Sequence, residues 1–222
     1  AQYVALPARN VLPRPPGLGA AEAAALGVAH LTAWRMLFTQ ARLQPGETVL
    51  IFGIGGGVSM AALQLVKLAG ARAIVTSRDE AKLAVAAAQG ADHGIHTPTQ
   101  DVVKTVLSLT EGQGVDVVFE NVGAAVWGQA LRALMRGGRL VTCGATSGDQ
   151  PGADLRRLFI RQLKVFGSTL GNLSEHQALL AACAQHGLKP HIDACFALGD
   201  VHEALDRLES QQQTGKLALV MA

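Results

Sequence analysis

Short apolar runs recur along the chain, and each is followed by a stretch whose apolar residues have the spacing of a helix. The runs begin near residues 48, 72, 93, 115 and 139, with a sixth at 163–167. Strands that are buried on both faces have such continuous apolar runs, and parallel strands require a crossover that is usually a helix. The alternation is therefore typical of right-handed βαβ units. It predicts an α/β fold with a doubly wound, six-stranded parallel sheet.

A glycine-rich turn separates the first predicted strand from the helix that follows it. As G-x-G-x-x-G the pattern has Val58 at its third glycine, whereas as G-x-x-G-x-x-(G/A/S) it fits Gly53, Gly56 and Ser59. Such a turn lets backbone approach a pyrophosphate, and the free N–H groups at the helix start bind the anion. The strand–turn–helix context predicts a Rossmann dinucleotide site; the alternative is a loop that only turns. The candidate contacts are Gly53, Gly55, Gly56, Gly57 and Val58.

The end of the second predicted strand carries hydroxyl and basic side chains. Ser77 and Arg78 stand where a site for the non-phosphorylated dinucleotide usually has Asp or Glu on the ribose hydroxyls. A hydroxyl and a guanidinium bind a 2′-phosphate, which an acidic side chain would repel. Lys82, one helical turn after Arg78, can join them. We predict a preference for NADP(H); the alternative is that Asp79 binds the ribose and both cations are solvated.

Composition and charge exclude several classes of protein. Lys and Arg total 19 and Asp and Glu 17, so the formal net charge is +2, which argues against a nucleic-acid partner. Residues 48–66 carry no charge, yet glycines between 53 and 57 interrupt them, so a membrane span is not expected. The sequence has no G-x-S-x-G elbow, which disfavours a serine hydrolase.

The cysteines and histidines suggest neither a disulfide framework nor a metal site. Cys143, Cys183 and Cys195 form no C-x-x-C pair, which fits a reducing compartment, so we expect a cytoplasmic protein. Cys183 and Cys195 are expected to be small core residues. His93 and His96 have ligand-like spacing, but residues three apart on a strand face opposite sides, so no metal ligand is predicted in this chain.

Several short segments accompany the glycine turn, at 23–26 with 31–34, 45–51, 90–92, 114–118, 137–139 and 215–217. In these segments the sequence resembles the medium-chain dehydrogenase/reductase family, which includes the zinc alcohol dehydrogenases and the quinone oxidoreductases. The resemblance implies hydride transfer between NAD(P)H and a small-molecule carbonyl, alcohol, quinone or activated alkene. Family members carry most of a catalytic domain upstream, so the catalytic residues cannot be named from this chain.

The resemblance also implies a domain organisation. Residues 1–25 would be a tail strand and linker of the catalytic domain, 26–170 the dinucleotide-binding domain, and 171–222 C-terminal helices and a strand that complete the unit. The full-length protein could hold zinc, although this chain offers no ligands for it, and the zinc-dependent and zinc-free branches both stay open. The strand at 163–167 would pair with its copy in a homodimer, since an open sheet edge is otherwise a liability.

Further cofactor contacts follow from the resemblance and lie at the carboxyl ends of predicted strands, where open α/β sheets bind ligands. Thr32, near the nicotinamide, is the exception, since it lies on the first helix. The alternative for each residue is a loop or cap role. The contacts after the fourth, fifth and sixth strands are Asn121, Val122, Gly144, Ala145, Thr146, Ser168, Thr169 and Leu170.

Three functions compete at this stage. The leading hypothesis is the NADP(H)-binding portion of an oxidoreductase, with little turnover by this chain alone. A second is a non-catalytic NADP(H)-binding or redox-sensing module. A third is an S-adenosylmethionine methyltransferase, whose ribose would require an acid where Ser77 and Arg78 stand.

Overall fold

The computed structural model describes residues 3–221 and contains the expected parallel sheet. All strand pairs in the sheet are parallel, and their order is β3-β2-β1-β4-β5-β6. This is the doubly wound order, in which the strand sequence reverses between β1 and β4 and opens a crevice at the carboxyl edge. The strands are β1 Thr48–Ile51, β2 Arg72–Ser77, β3 His93–His96, β4 Val115–Glu120, β5 Leu134–Thr142 and β6 Lys164–Gly167.

Strand β1 lies at the centre of the sheet because every one of its side chains is apolar or short. Val49 and Ile51 contact one hydrophobic core, whereas Leu50 and the following Phe52 contact a second core. Successive side chains on a strand point to opposite faces, so the two cores lie on the two faces of the sheet. The continuous apolar run thus reports burial on both sides, as predicted.

The crossover helices cover those two faces. The first core includes residues from α3 and from the N-terminal helical segment, whereas the second includes residues from α5 and α6. The helical segment at residues 20–40 comprises α1 Ala20–Ala25 and α2 Leu31–Trp34, each followed by a π-helical stretch. The crossover helices are α3 Gly57–Leu68, α4 Glu80–Ala88, α5 Val102–Leu109, α6 Ala124–Ala133 and α7 Leu155–Arg161.

The C-terminal segment contains one strand more than the sequence predicts. It consists of α8 Leu173–His186, β7 Ile192–Ala197, α9 Val201–Glu209 and β8 Lys216–Val220. Strands β7 and β8 pair in parallel and form a separate two-stranded sheet. No residue of β7 is fully buried and the strand depends on pairing with β8, so its short apolar run does not identify it in the sequence. Cys183 is buried, but Cys195 on β7 is exposed, so its assignment to the core was wrong.

The tail strand suggested at the N-terminus does not form in the described residues. Residues 3–7 have no regular secondary structure, and the side chains of Tyr3, Val4 and Leu6 are exposed. Residues 1 and 2, which the prediction includes, lie outside the described part of the chain. The apolar residues at 3–6 alternate only weakly, and within the described chain no strand lies beside them to supply backbone hydrogen bonds.

Within residues 3–221, no helix combines the length and apolar character that crossing a membrane requires. The uncharged stretch 48–66 consists of β1, the glycine turn and part of α3.

Candidate cofactor-binding site

The glycine turn leaves β1 with two residues in the left-handed region. Gly53 has φ +65° and Gly55 has φ +111°, conformations that favour glycine because a Cβ would be strained there. The hydroxyl of the buried Ser59 donates to Gly53 O at 2.8 Å and to Gly56 O at 3.1 Å. Ser59 therefore holds the turn closed from inside the next helix. Ser59 fits the glycine motif but was not predicted as a site residue.

Helix α3 starts inside this turn. Gly56 is its N-cap and has no side chain, so the first N–H groups of the helix meet no side-chain acceptor from the cap residue. A helix N-terminus of this kind attracts an anion through its N–H groups and its dipole. A Cβ on Gly57 would lie 2.8 Å from the Cδ of Lys216, so the backbone is closely covered here. Val58, in the first turn of α3, is half-buried.

The loops after β4 and β5 pack backbone against backbone. Val122 O accepts from Ser147 N at 2.7 Å and from the Thr146 hydroxyl at 3.3 Å. A Cβ on Gly144 would lie 2.8 Å from Asn121 O, so this position leaves room only for glycine. A Cβ on Gly53 would lie 3.2 Å from the Val122 side chain. Val122 therefore lies against the glycine turn, whereas Gly144, Ala145 and Thr146 pack against the loop after β4.

Glu120, the last residue of β4, fixes these loops and was not predicted as a site residue. Its carboxylate is fully buried and accepts from the backbone N–H groups of Val122 and Gly123, at 2.5 and 2.6 Å, and from the Thr142 hydroxyl at 2.9 Å. A buried carboxylate requires such donors. An acidic residue that ends an apolar strand just before a glycine was the available signal.

Cys143 follows β5 at the same edge of the sheet, and its thiol is unreactive. Burial raises the pKa of the Cys143 thiol to about 11, and the nearby Glu120 carboxylate adds to the effect. The thiolate is the reactive form, so this side chain stays a neutral thiol at physiological pH. Packing is the role that the geometry favours.

The segment after β6 lies against the N-terminal helical segment. A Cβ on Gly171 would lie 2.6 Å from the Leu31 side chain, so residues 168–171 reach the helix at the position next to the buried Thr32. Leu170 has φ +43°, an uncommon conformation for a residue with a side chain. Thr169 and Leu170 are exposed, whereas the Ser168 hydroxyl is buried with no hydrogen-bond partner in the described chain.

Glu175 anchors this segment to the same helix. Its carboxylate accepts from Arg35 at 2.9 Å, from the Thr39 hydroxyl at 2.5 Å and from Asn172 N at 2.7 Å. Burial opposes its ionisation, but these hydrogen bonds outweigh the burial and hold the pKa of Glu175 below its ordinary value. An ionised Glu175 thus joins the start of α8 to the helix that carries Thr32.

The end of β2 carries hydroxyl, acidic and basic side chains next to the glycine turn. Ser77 Oγ accepts from Asp79 N at 3.0 Å, and the Asp79 carboxylate caps α4 by accepting from Ala81 N at 2.8 Å. Asp79 is therefore engaged at the helix start. The stem of Lys82 lies over the glycine turn, with its Cδ 2.5 Å from where a Cβ on Gly55 would be. Arg78 is exposed beside it.

His96 lies at this end of the sheet, whereas His93 begins β3 at the opposite end. His96 Nε2 is 3.1 Å from Arg78 O, and its Nδ1 is 3.0 Å from the Thr99 hydroxyl. These contacts tie the loop after β3 to the end of β2. Among residues 3–221, no group of three or more His, Cys, Asp or Glu side chains could hold a metal ion.

The sequence and the structure both match known dehydrogenases. The chain is 30% identical to the quinone oxidoreductase-like protein 2 homolog of Nematostella vectensis, over 99% of this chain and 63% of the relative. A crystal structure of an NAD-dependent alcohol dehydrogenase superposes with a TM-score of 0.93 at 37% identity, over 100% of this chain and 65% of the other. The 2-octenoyl-CoA carboxylase reductase CinF, solved with NADP and 2-octenoyl-CoA, superposes with a TM-score of 0.87 at 30% identity, over 95% of this chain and 52% of the other.

These comparisons also give the family. The chain spans less than two thirds of the length of each of these three relatives. The family described as zinc-binding dehydrogenase matches residues 57–185, which is more than half of the chain and runs from the start of α3 into α8. The chain therefore belongs to the zinc-binding dehydrogenases and corresponds to the cofactor-binding half of a medium-chain dehydrogenase/reductase.

Proposed function

We propose that this chain is the NADP(H)-binding part of an oxidoreductase that transfers hydride between the nicotinamide and an alcohol or carbonyl, or a quinone or enone. The observation that carries the choice of cofactor is the placement of Arg78 and Lys82 beside the glycine turn, while Asp79 caps α4. Two cations at the ribose end, where the Asp79 carboxylate accepts a hydrogen bond from the first turn of α4, favour a 2′-phosphate.

The described residues fit the whole cofactor. The N–H groups of Gly57 and Val58 at the start of α3 would hold the pyrophosphate, which the glycine turn admits because no Cβ fills the cradle. Ser77, Arg78 and Lys82 would hold the 2′-phosphate. When it is bound, the nicotinamide supplies or accepts the hydride, and the chain binds and orients it.

The nicotinamide end has its own candidate contacts. The buried Ser168 hydroxyl, which has no partner in the described chain, would be satisfied by a polar group of the ligand. Thr32 lies beside the same segment. The loops that follow β4 and β5 complete this end with Asn121, Val122, Gly144, Ala145 and Thr146, and the segment after β6 adds Thr169 and Leu170.

Zinc does not fit the residues of this chain. The family is described as zinc-binding, but no cluster of three or more potential ligands occurs among residues 3–221. Structural and catalytic zinc sites alike need at least three protein ligands. We therefore assign no step of the reaction to a metal here, and the substrate-side groups belong to a part of the relatives that this chain does not match.

The proposal is tested by calorimetric titration with NADPH and NADH. We expect NADPH to bind at least tenfold more tightly, a difference of about 1.4 kcal/mol. Arg78→Ala should remove most of that difference, whereas Arg156→Ala, an exposed arginine on α7, should leave it intact. Equal or tighter binding of NADH would refute the phosphate pocket, and no binding of either would refute the cofactor itself.

We also propose a homodimer that pairs β6 with its copy. The edge strand has an exposed Val165, and Leu155 and Phe159 on the adjacent α7 are exposed by 67% and 70%. An open edge flanked by apolar side chains is a template for pairing. Sedimentation should show a dimer that Val165→Lys dissociates; a monomeric wild-type protein would contradict this.

The three free cysteines support the further proposal that the protein works in the cytoplasm.

A further inference from the structure

The C-terminal loop, residues 210–215 between α9 and β8, lies across the glycine turn. Gly215 N donates to Gly55 O at 2.8 Å, and Lys216 N donates to His191 O at 3.1 Å. Gly215 has φ +92°, and a Cβ there would lie 2.7 Å from His191 O. The loop is therefore pinned to the turn by backbone groups that tolerate no side chain at Gly215.

One residue of this loop contacts both cations of the ribose end. Lys82 Nζ donates to Gln211 O at 2.6 Å, and an Arg78 guanidinium nitrogen lies 3.4 Å from Gln211 Oε1. Gln211 is more than 120 residues away from both in sequence, so only the fold brings them together. Gln211 itself has φ +56°, in the left-handed region. In this conformation its carbonyl oxygen contacts Lys82 and its side chain contacts Arg78.

We infer that Gln211 is a specificity-determining residue for the 2′-phosphate of NADP(H), because it positions Arg78 and Lys82. Long basic side chains lose considerable rotamer freedom when they bind, and a contact that orders them beforehand lowers that cost. This inference rests on the proposed function. It adds a residue from the C-terminal segment to a pocket that otherwise comes from β2 and α4.

The neutral side chain of Gln211 matters as much as its position. A carboxylate there would pair with Arg78 and cancel part of the positive charge that a phosphate requires. An amide oxygen orients the guanidinium and leaves its charge available. A 2′-phosphate carries close to two negative charges at neutral pH, so it would also be repelled by an acidic residue at this position.

The decisive experiment compares two charge changes in neighbouring residues. NADPH and NADH are titrated against the wild type, Gln211→Glu and Gln212→Glu, all at about 0.15 M salt, where exposed charges are screened beyond about 8 Å. Gln212 is also exposed and adds the same charge next door. We expect Gln211→Glu to weaken NADPH binding about tenfold or more and to change NADH binding less than about twofold. Gln212→Glu should change either affinity by less than about twofold, because Arg78 and Lys82 hydrogen-bond to Gln211 and not to Gln212.

Several results would overturn the inference. An equal loss of NADPH affinity in both variants would indicate long-range charge alone, and no loss in Gln211→Glu would show that Gln211 does not act on the phosphate. Equal weakening of NADPH and NADH by Gln211→Glu would indicate a general disturbance of the glycine turn. The wild-type titration separates the two levels: a wild type that prefers NADH refutes the proposed cofactor, whereas failure of the variants alone refutes only the role of Gln211.

A second variant keeps the test valid if Gln211→Glu disturbs folding. Gln211→Gly retains the carbonyl that binds Lys82 and suits the left-handed backbone, so only the contact with Arg78 is lost. We expect a selective loss of NADPH affinity of about threefold, with an unchanged thermal unfolding midpoint. Unchanged affinity for NADPH would refute the contribution of the side chain.

Discussion

The two sheets of this molecule differ in how completely they are buried. In the six-stranded sheet, all four residues of β1 are buried, and β4 exposes none of its side chains. In the two-stranded sheet, only Ala218 is buried, and Leu219 and Val220 of β8 are exposed. Both sheets are parallel, so the strand direction does not explain the difference.

The difference in burial follows from how many faces of each sheet are covered by helices. The large sheet has a hydrophobic core on each face, whereas the small sheet packs against α1 and α9 and leaves apolar side chains exposed. Isolated two-stranded sheets are marginally stable. The relatives are longer than the part this chain matches. From this difference we expect most of the stability to come from the large sheet. Strand β8 of the small sheet instead follows the C-terminal loop that contacts the glycine turn.

The largest expected effect comes from emptying the core of the large sheet. Phe119 on β4 is fully buried, so Phe119→Ala should lower the free energy of unfolding by about 3–5 kcal/mol. The matched change on β8, Leu219→Ala, should cost less than about 1 kcal/mol because Leu219 already exposes 44% of its surface. Denaturant unfolding of both variants measures the contrast. Equal losses would contradict the assignment of stability to the large sheet.

The next effect lies where the large sheet's helices meet the C-terminal segment. Glu175→Gln should cost about 2 kcal/mol, since it weakens hydrogen bonds from Arg35 and Thr39 to a buried carboxylate. Glu209→Gln is the control, because Glu209 is exposed on α9. A loss confined to Glu175→Gln supports an anchor; equal effects in the two variants would show that the network contributes nothing specific.

The same residue predicts a pH dependence. The pKa of Glu175 is lowered in the folded state, so its contribution is complete above the ordinary glutamate pKa and is lost as pH falls through the folded pKa. The stability of the wild type should therefore fall steeply below the ordinary glutamate pKa. Glu175→Gln should be less sensitive in that range, with a residual slope from Asp92, whose pKa is also lowered. An unchanged acid slope would show that Glu175 is not ionised in the fold.

A smaller effect is expected at a higher pH. His30 is buried beside Gln64, 2.9 Å from its side-chain oxygen, and burial lowers the pKa of His30. At a pH between the two pKa values, His30 binds a proton in the unfolded state but not in the folded state. The free energy of unfolding therefore declines as pH falls below the ordinary histidine pKa. His30→Gln should reduce this decline, while the exposed His202→Gln should preserve it. Unfolding midpoints between about pH 7 and pH 5 measure the difference.

Much of the fold follows from the sequence because its cause is local. The apolar run that predicts β1 is continuous in sequence, β4 has three consecutive apolar residues before Glu120, and the glycines at 53 and 55 are required by the conformation of the turn itself. Strand β7 escaped prediction because it has no fully buried residue and depends on pairing with β8.

The site was predictable to the extent that backbone determines it. Val122 in the loop after β4 lies next to the glycine turn because parallel strands end at one edge, whereas the cofactor contacts of these loops stay a prediction. Glu120 was not predicted, although Val122 and Gly123 are near it in sequence, because the sequence does not show that its carboxylate is buried. Gln211 was not predicted, because only the fold brings it near Arg78 and Lys82. Lys82 was expected beside Arg78, and its path over Gly55 follows from the position of the C-terminal loop.

The smallest expected effect compares one ion pair from each region. Arg139 on β5 binds Glu47 at 2.6 Å and Ala41 O at 2.9 Å in a half-buried setting, whereas Arg207 on α9 binds Asp193 at 2.8 Å nearer the surface. Lysine cannot reproduce the two-point contact, so Arg139→Lys should cost about 1 kcal/mol. Arg207→Lys should cost no more than about 0.5 kcal/mol, since exposed pairs contribute little. Denaturant unfolding measures both losses. A larger loss for Arg207→Lys would show that the small sheet contributes more to stability than its burial implies, because Asp193 lies on β7 of that sheet.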